Sequence, residues 1–232
     1  MLSDAITYLK HSDDVWKTSI LGGLFLLFSF LLIPLFLVWG YVVRVLDRTA
    51  HGDEDAPAFD DWGTLAIDGA KASVILFAYS LVVLVVGTVL VGGVLLATGG
   101  SPGSVGAAML VLAGLLTVLA GLVALYAVPA ALANFAGERR LSDGVDFEAI
   151  RPVLGTGTYA AGWLLALGIL FVGSFVAGIL AAIPFVGAVL GAILSFYALV
   201  SAYYVIGRTW ADLHPVSIED VPDDAVDERP AV

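Results

Sequence analysis

The chain contains no cysteine, which excludes disulfides, thiolate nucleophiles and cysteine metal sites. Charge is also scarce, at 13% of 232 residues, about half of what a soluble domain carries. Its distribution is more telling than its amount. Thr18 to Val43, Ala72 to Gly137 and Pro152 to Gly207 hold no charged residue and no histidine. A charge left in hydrocarbon costs several kcal/mol or more, and a span needs about 20 predominantly apolar residues. The three runs are therefore expected to lie in a membrane, with the charges confined to the gaps between them. No basic n-region with a short apolar core and a small-residue cleavage site opens the chain, so the N-terminus is expected to be retained.

Lysine is the rarest of the charged residues, with three copies beside seven arginines, and aspartate outnumbers glutamate sixteen to five. The net charge of −11, spread over every polar segment, fits a halophilic cytoplasm. In multimolar salt the Debye length is about 3 Å or less, and like charges barely repel. The alternative is that the acids recruit a basic partner or a metal. No basic patch exists to neutralise phosphates, which argues against a nucleic-acid partner.

The expected fold is an all-α, polytopic helical membrane bundle, forming one domain over residues 1–213. Residues 2–15 read as an amphipathic interfacial helix with Leu2, Ala5, Ile6 and Leu9 on one face. Trp16 and Lys17 follow at headgroup level. The 18–43 run carries Gly22-Gly23 and, in its middle, Pro34, which removes a backbone donor. It reads either as one kinked span or as a re-entrant hairpin. Residues 59–71 read as a second interfacial helix, with Asp60 or Asp61 as its cap. The turn-rich 98–104 segment divides the next run into spans at about 72–97 and 105–136. Ile183-Pro184 divides the last into 157–181 and 185–207. Residues 214–232 read as an acidic, disordered tail.

Four full spans are thus expected, or five if the first run crosses. Arg44, Arg48, Lys71, Arg139, Arg140, Arg151 and Arg208 all flank one end of the two long hairpins, whereas the turns at 98–104 and 182–184 have no basic residue. The positive-inside rule then assigns that end, and the C-terminal tail, to the cytoplasmic face of the cell membrane. A re-entrant first run would bring Lys10, Lys17 and all five tryptophans to the same side. Ile33-Pro34 leading to Arg44 is echoed by Ile183-Pro184 leading to Arg208, as two degenerate copies of one hairpin would be.

The Gly22-Gly23 pair, the Ile-Pro at 33–34 leading into Gly40-Tyr41-Val-Val-Arg44, the Phe59-Asp-Asp-Trp-Gly63 element and Asp68-Gly69-Ala-Lys71 together carry a resemblance. On these residues the chain resembles the domain of unknown function 4013 family of archaeal and bacterial membrane proteins, over most of its length to about Leu213. The acid-rich loops look like those of haloarchaeal members. The resemblance implies a multi-pass membrane domain and brings no catalytic role.

The candidate functional cluster is Arg44, Arg48, Asp60, Asp61, Trp62, Asp68, Lys71 and Arg208. Converging at the mouth of the bundle, its arginines could hold lipid phosphates in bidentate geometry. The competing reading is that the acids cap a helix and pair with the arginines to fix the loop. His51 with Asp53, Glu54 and Asp55 follows neither calcium-loop nor zinc spacing, so no metal is expected. Gly187, Gly191 and Ser195 on one helix, and Gly173, Ala177 and Ala181 on its predecessor, form small-residue faces. Such faces suit close packing inside the monomer, or a homo-oligomer contact. Asn134, five residues after Pro129, reads as satisfying backbone groups freed by that proline.

Spans without acids, histidines or basic residues lack the groups that proton-coupled transport and hydrolysis use. No catalytic residue and no cofactor are expected. The expected role is a non-catalytic membrane protein that organises lipids or partner proteins, as a subunit of a membrane assembly. A channel or facilitator for a small or apolar solute is the alternative.

Overall fold

A computed structural model describes residues 1–11, 15–53, 55–184 and 186–214, and the side chains of all of these except 10 and 11. Among the described residues the chain is helical, with no strand. Four helices are long and apolar enough to cross a membrane: α4 (Trp62–Ala97), α5 (Ser104–Glu138), α8 (Gly157–Leu180) and α9 (Val186–Leu213). The shorter helices are α1 (Leu2–Thr7), α2 (Val15–Leu27), α3 (Leu32–Ala50), α6 (Leu141–Val145) and α7 (Phe147–Leu154). This is a polytopic helical membrane bundle.

The first apolar run folds as a helical hairpin. It breaks at residues 28–31, between α2 and α3, and not at Pro34. Pro34 occupies the third position of α3, where the backbone N–H would lack an intrahelical partner in any case. The two ends of the hairpin meet. Tyr8, before α2, donates its hydroxyl to the carbonyl of Asp55, after α3, at 3.3 Å. Along α9, Gly22 and Gly23 of α2 lie on Phe196 and Ile193, and α3 returns from Tyr41, beside Phe196, to Thr49, beside Gly207. Phe30, Leu32 and Ile33, all strongly exposed, form the apolar tip.

Two expected elements differ. The interfacial helix at 2–15 is α1 followed by a 3-10 turn at Tyr8–His11, while residues 12–14 lie outside the described ones. Its buried face is Ala5, Tyr8 and Leu9, whereas Leu2 and Ile6 are exposed. The face meets α9, where the Tyr8 and Tyr204 rings stand 4.5 Å apart and the Tyr197 hydroxyl donates to the Ile6 carbonyl. The helix expected at 59–71 does not exist separately. α4 runs unbroken from Trp62, because the change from charged to apolar at Lys71 brings no proline, and Gly69 stays helical where it packs on the Phe36 carbonyl of α3. Amphipathic helices occupy 141–154, across most of the charged gap at 138–151 that separates the second and third uncharged runs. There Asp146 caps α7 by accepting from the Ala149 N–H at 3.1 Å, Ile150 and Val153 are buried, and Glu148 and Arg151 face out.

The turn at 98–104 and the starts and ends of α5 and α8 fall within about two residues of expectation. Gly99 and Gly100 carry φ of +59° and +77°, which closes the α4–α5 turn with backbone that side chains resist. Phe185 and the tail at 215–232 lie outside the described residues. α9 is the axis of the molecule: α8, α3 and α2 all pack against it, and from Val200 to Gly207 every residue is buried. α8 meets α9 through small residues. Gly173 faces Ala198, Gly191 faces Ala177, and Gly187 sits on the Leu180 carbonyl. Ser195 of that stripe is half-buried. Close approach at such residues supplies the packing contacts that lipid, as apolar as leucine, would not otherwise favour.

Candidate functional site

The polar residues singled out in the sequence fall into three groups once the helices are in place. The first surrounds the Phe59-Asp-Asp-Trp-Gly63 element. Its aromatic residues pack on one another and on neighbouring rings, Phe59 half-buried and Trp62 at the surface. Phe59 stacks on Tyr41 at 4.5 Å and lies parallel to Trp62 at 5.9 Å, with Phe25 of α2 set edge-on to both. Its acids turn outward to fixed partners. Asp60 pairs with Arg44, which also donates to the carbonyls of Ala58 at 3.1 Å and Asp60 at 3.2 Å. Asp61 is the N-cap of α4 and accepts from the Thr64 N–H at 3.5 Å. Hydrogen bonds from Thr64 hold its carboxyl below the usual carboxylate range. The Tyr41 hydroxyl donates to the Pro57 carbonyl at 2.9 Å and anchors the loop from beneath. The element works as a clasp between α2, α3 and α4, and Arg44, Asp60, Asp61 and Trp62 are engaged within it.

The second group is an ion cluster whose central residue the sequence does not advertise. Arg139 ends α5 with φ of +57°. Its guanidinium pairs with Asp68 of α4 through Nη1 and with Asp47 of α3 through Nη2 at 2.8 Å. Asp68 is 5% exposed, so this carboxylate depends on Arg139. Lys71 donates to the Arg139 carbonyl at 3.1 Å, which satisfies one of the orphan acceptors at the end of α5. His51 reaches Asp47 from solvent, 3.3 Å from Oδ1. One residue thereby ties three helices. Asp47 and Arg139 are 92 positions apart, and no spacing pattern in the sequence relates them. The one available signal is that each lies at the edge of an apolar run.

Arg48 and Arg208 make up the third group. Each is the chain neighbour of a residue in the contact where Gly207 of α9 packs directly on Thr49 and the Leu46 carbonyl of α3. Arg208 Nη1 also lies about 4.0 Å from the open side of Gly52, at the end of α3. Among the described residues neither arginine forms an ion pair, in contrast to Arg44 and Arg139. Their fields act on what surrounds them. Arg48 favours the ionised form of the Tyr8 hydroxyl, although burial dominates and pushes that group up. Asp4 is held below the usual carboxylate range by hydrogen bonds from the N-terminal ammonium and Ser3, with a small contribution from Arg208.

Asn134 plays a different part from the one its distance to Pro129 suggests. Its Nδ2 donates to the Asp143 carbonyl at 2.7 Å and so fastens α6 against α5. His51 and Asp53 belong to the described residues but Glu54 does not, and no cluster of three metal-ligating side chains occurs among the described residues.

The family described as protein of unknown function (DUF4013) matches residues 24–183. The chain belongs to that family. The match takes in the clasp, the ion cluster and α3 to α8, and stops short of α9. No curated protein and no solved structure matches the chain.

Proposed function

We propose that this member of the family is non-catalytic and organises membrane lipids, and with them partner proteins, through the basic end of its bundle. The observation that supports this reading is the division of labour among its cations. Arg44, Arg139 and Lys71 are engaged in holding helices together, whereas Arg48 and Arg208, which adjoin the Gly207–Thr49 contact of α9 with α3, have no ion pair among the described residues. A guanidinium without a carboxylate partner at a membrane surface is suited to a lipid phosphate, which it can meet with two parallel hydrogen bonds. Basic pockets between helices recognise anionic headgroups in this way. The basic residues bordering α3, α4, α5 and α9 support assigning this end, and the C-terminal tail, to the cytoplasm. The excess of aspartate supports a protein that works in high salt.

Copurification and flux separate this reading from a channel or facilitator. Protein extracted gently and examined by mass spectrometry should carry anionic lipid, and the Arg48→Ala/Arg208→Ala variant should lose it while keeping its melting temperature. The same protein in liposomes should pass no solute. Solute flux without retained lipid would reverse the conclusion. Arg44→Ala, in contrast, should lower stability and leave lipid binding unchanged.

A further inference from the structure

Beyond the basic end, the outer side of the α4–α5 hairpin carries an open apolar groove of about 810 Å³. Small residues bring the two helices together along one line, where Gly87 meets Thr117 and Gly121 meets Val83. The groove runs beside that line. Its lining includes the small residues Ala120 and Ala124 beside Val86 and Leu119, and Tyr79 supplies the one hydroxyl among its lining residues. Every residue that α4 and α5 contribute comes from the 72–137 stretch, which holds no charge.

The position of α6 sets the depth of the groove. Gly144 packs directly on Ile75, so Asp143 and Asp146 mark that level of α4 as the polar boundary. From Ile75 to Ala97 is about 33 Å at 1.5 Å per residue, close to the about 30 Å of a bilayer's hydrocarbon core. The groove starts just past the boundary at Ala78 and ends at Leu90, about 18 Å deeper. That is little more than one leaflet. Val145 and Phe147, half-exposed apolar residues of the amphipathic α6–α7 pair, close its shallow end. A slot that opens at headgroup level, descends one leaflet and offers only hydrocarbon has the dimensions of a lipid chain. A helix from a second copy, about 10 Å across with its side chains and 18 Å long, would need on the order of 1,400 Å³.

We propose that the α4–α5 groove is a binding site for one hydrocarbon tail of a lipid, with the headgroup resting on α6–α7. The site is separate from Arg48 and Arg208, and the inference rests only on α4 and α5 crossing a bilayer.

The test uses the full chain in mild detergent, delipidated and titrated with dioleoyl phosphatidylcholine. This neutral probe gives the two arginines no net charge to select. Native mass spectrometry should show the Ala120→Phe/Ala124→Phe variant retaining about one lipid fewer per protein than the wild type. Val118→Phe, on an exposed face of α5 outside the groove, should retain the wild-type number. If the double variant folds poorly, Ala120→Cys gives a unique thiol in a cysteine-free chain. After purification it can be alkylated with a long-chain maleimide, which should displace the same lipid. Equal retention in wild type and groove variants, or equal loss in Val118→Phe, would overturn the proposal. So would a wild-type dimer that the groove variants turn into a monomer, since a second copy would then be the occupant. Binding of anionic lipid that depends on Arg48 and Arg208 is read separately, so either site can fail alone.

Discussion

Replacing Arg139 with Gln removes the charge that Asp68 and Asp47 share, and its effect can be worked from their exposures. The Asp68 side chain is 7% exposed and would be left ionised without a partner. Breaking a buried pair in this way costs about 3–5 kcal/mol. Asp47 is 31% exposed and keeps His51 nearby, so its share is that of a surface pair, about 0–1 kcal/mol. The Lys71 bond goes to the Arg139 carbonyl and survives the substitution. The low end of the buried-pair range therefore suits this half-open cluster, with a loss of about 3–4 kcal/mol. At about 2–4 °C per kcal/mol for a chain of this size, the melting temperature should fall by about 6–16 °C. Thermal unfolding followed by far-UV circular dichroism in detergent reads this directly. Asp68→Asn alone should also destabilise, because Arg139 then keeps only Asp47. The double variant Asp68→Asn/Arg139→Gln should be more stable than the two single losses added together, by on the order of 2 kcal/mol. Arg139→Gln within about 1 kcal/mol of wild type, or strict additivity with Asp68→Asn, would refute the account of the cluster as the tie between α3, α4 and α5.

Two glycines should respond in opposite directions. Gly207→Ala drives a methyl into Thr49 and the Leu46 carbonyl and should cost about 1–3 kcal/mol. Gly178→Ala, with nothing within 4 Å, should raise stability by about 0.5–1 kcal/mol, and paired melting curves check both signs. Asp61 predicts an acid-sensitive start to α4. Its folded pKa lies below the ordinary 3.8, so the cap's contribution is complete above that value and is lost as pH falls through the folded pKa. Protection of the Thr64 and Leu65 amides against hydrogen exchange should drop over that window in the wild type. It should stay flat in Asp61→Asn, which tolerates the left-handed backbone at φ 44°.

The fold was legible where one physical constraint dominates. Uncharged runs mark what can sit in hydrocarbon, and Gly99-Gly100 marks the only turn that run can make, so α5 emerges within two residues of its expected ends. The structure departs from the sequence pattern where charge and helix boundaries do not coincide. Lys71 borders an apolar run but no helix end. The 141–154 segment is charged and still forms helices, although Asp146 as a cap with Ile150 and Val153 three apart already signals one. The break at 28–31 lies just ahead of Pro34, whose missing N–H and ring bear on the carbonyl four residues back, so the sequence signals a break but places it a few residues late. The site was legible in part. The clasp is local, so Asp61 as cap and Arg44 beside Asp60 follow from neighbouring residues. The Arg139 cluster joins residues 71 and 92 positions apart, which only the folded chain brings together.

The return of the first apolar run to the end it came from is the central claim, and the absence of cysteine makes it simple to test. Single cysteines at Ser3, Asp53, Ser142 and Ser101 can each be probed with a membrane-impermeant maleimide in sealed, oriented vesicles. The account predicts that Ser3→Cys, Asp53→Cys and Ser142→Cys label from one side and Ser101→Cys from the other. Labelling of Ser3→Cys from the side of Ser101→Cys would mean that residues 18–43 cross the membrane, and would contradict it.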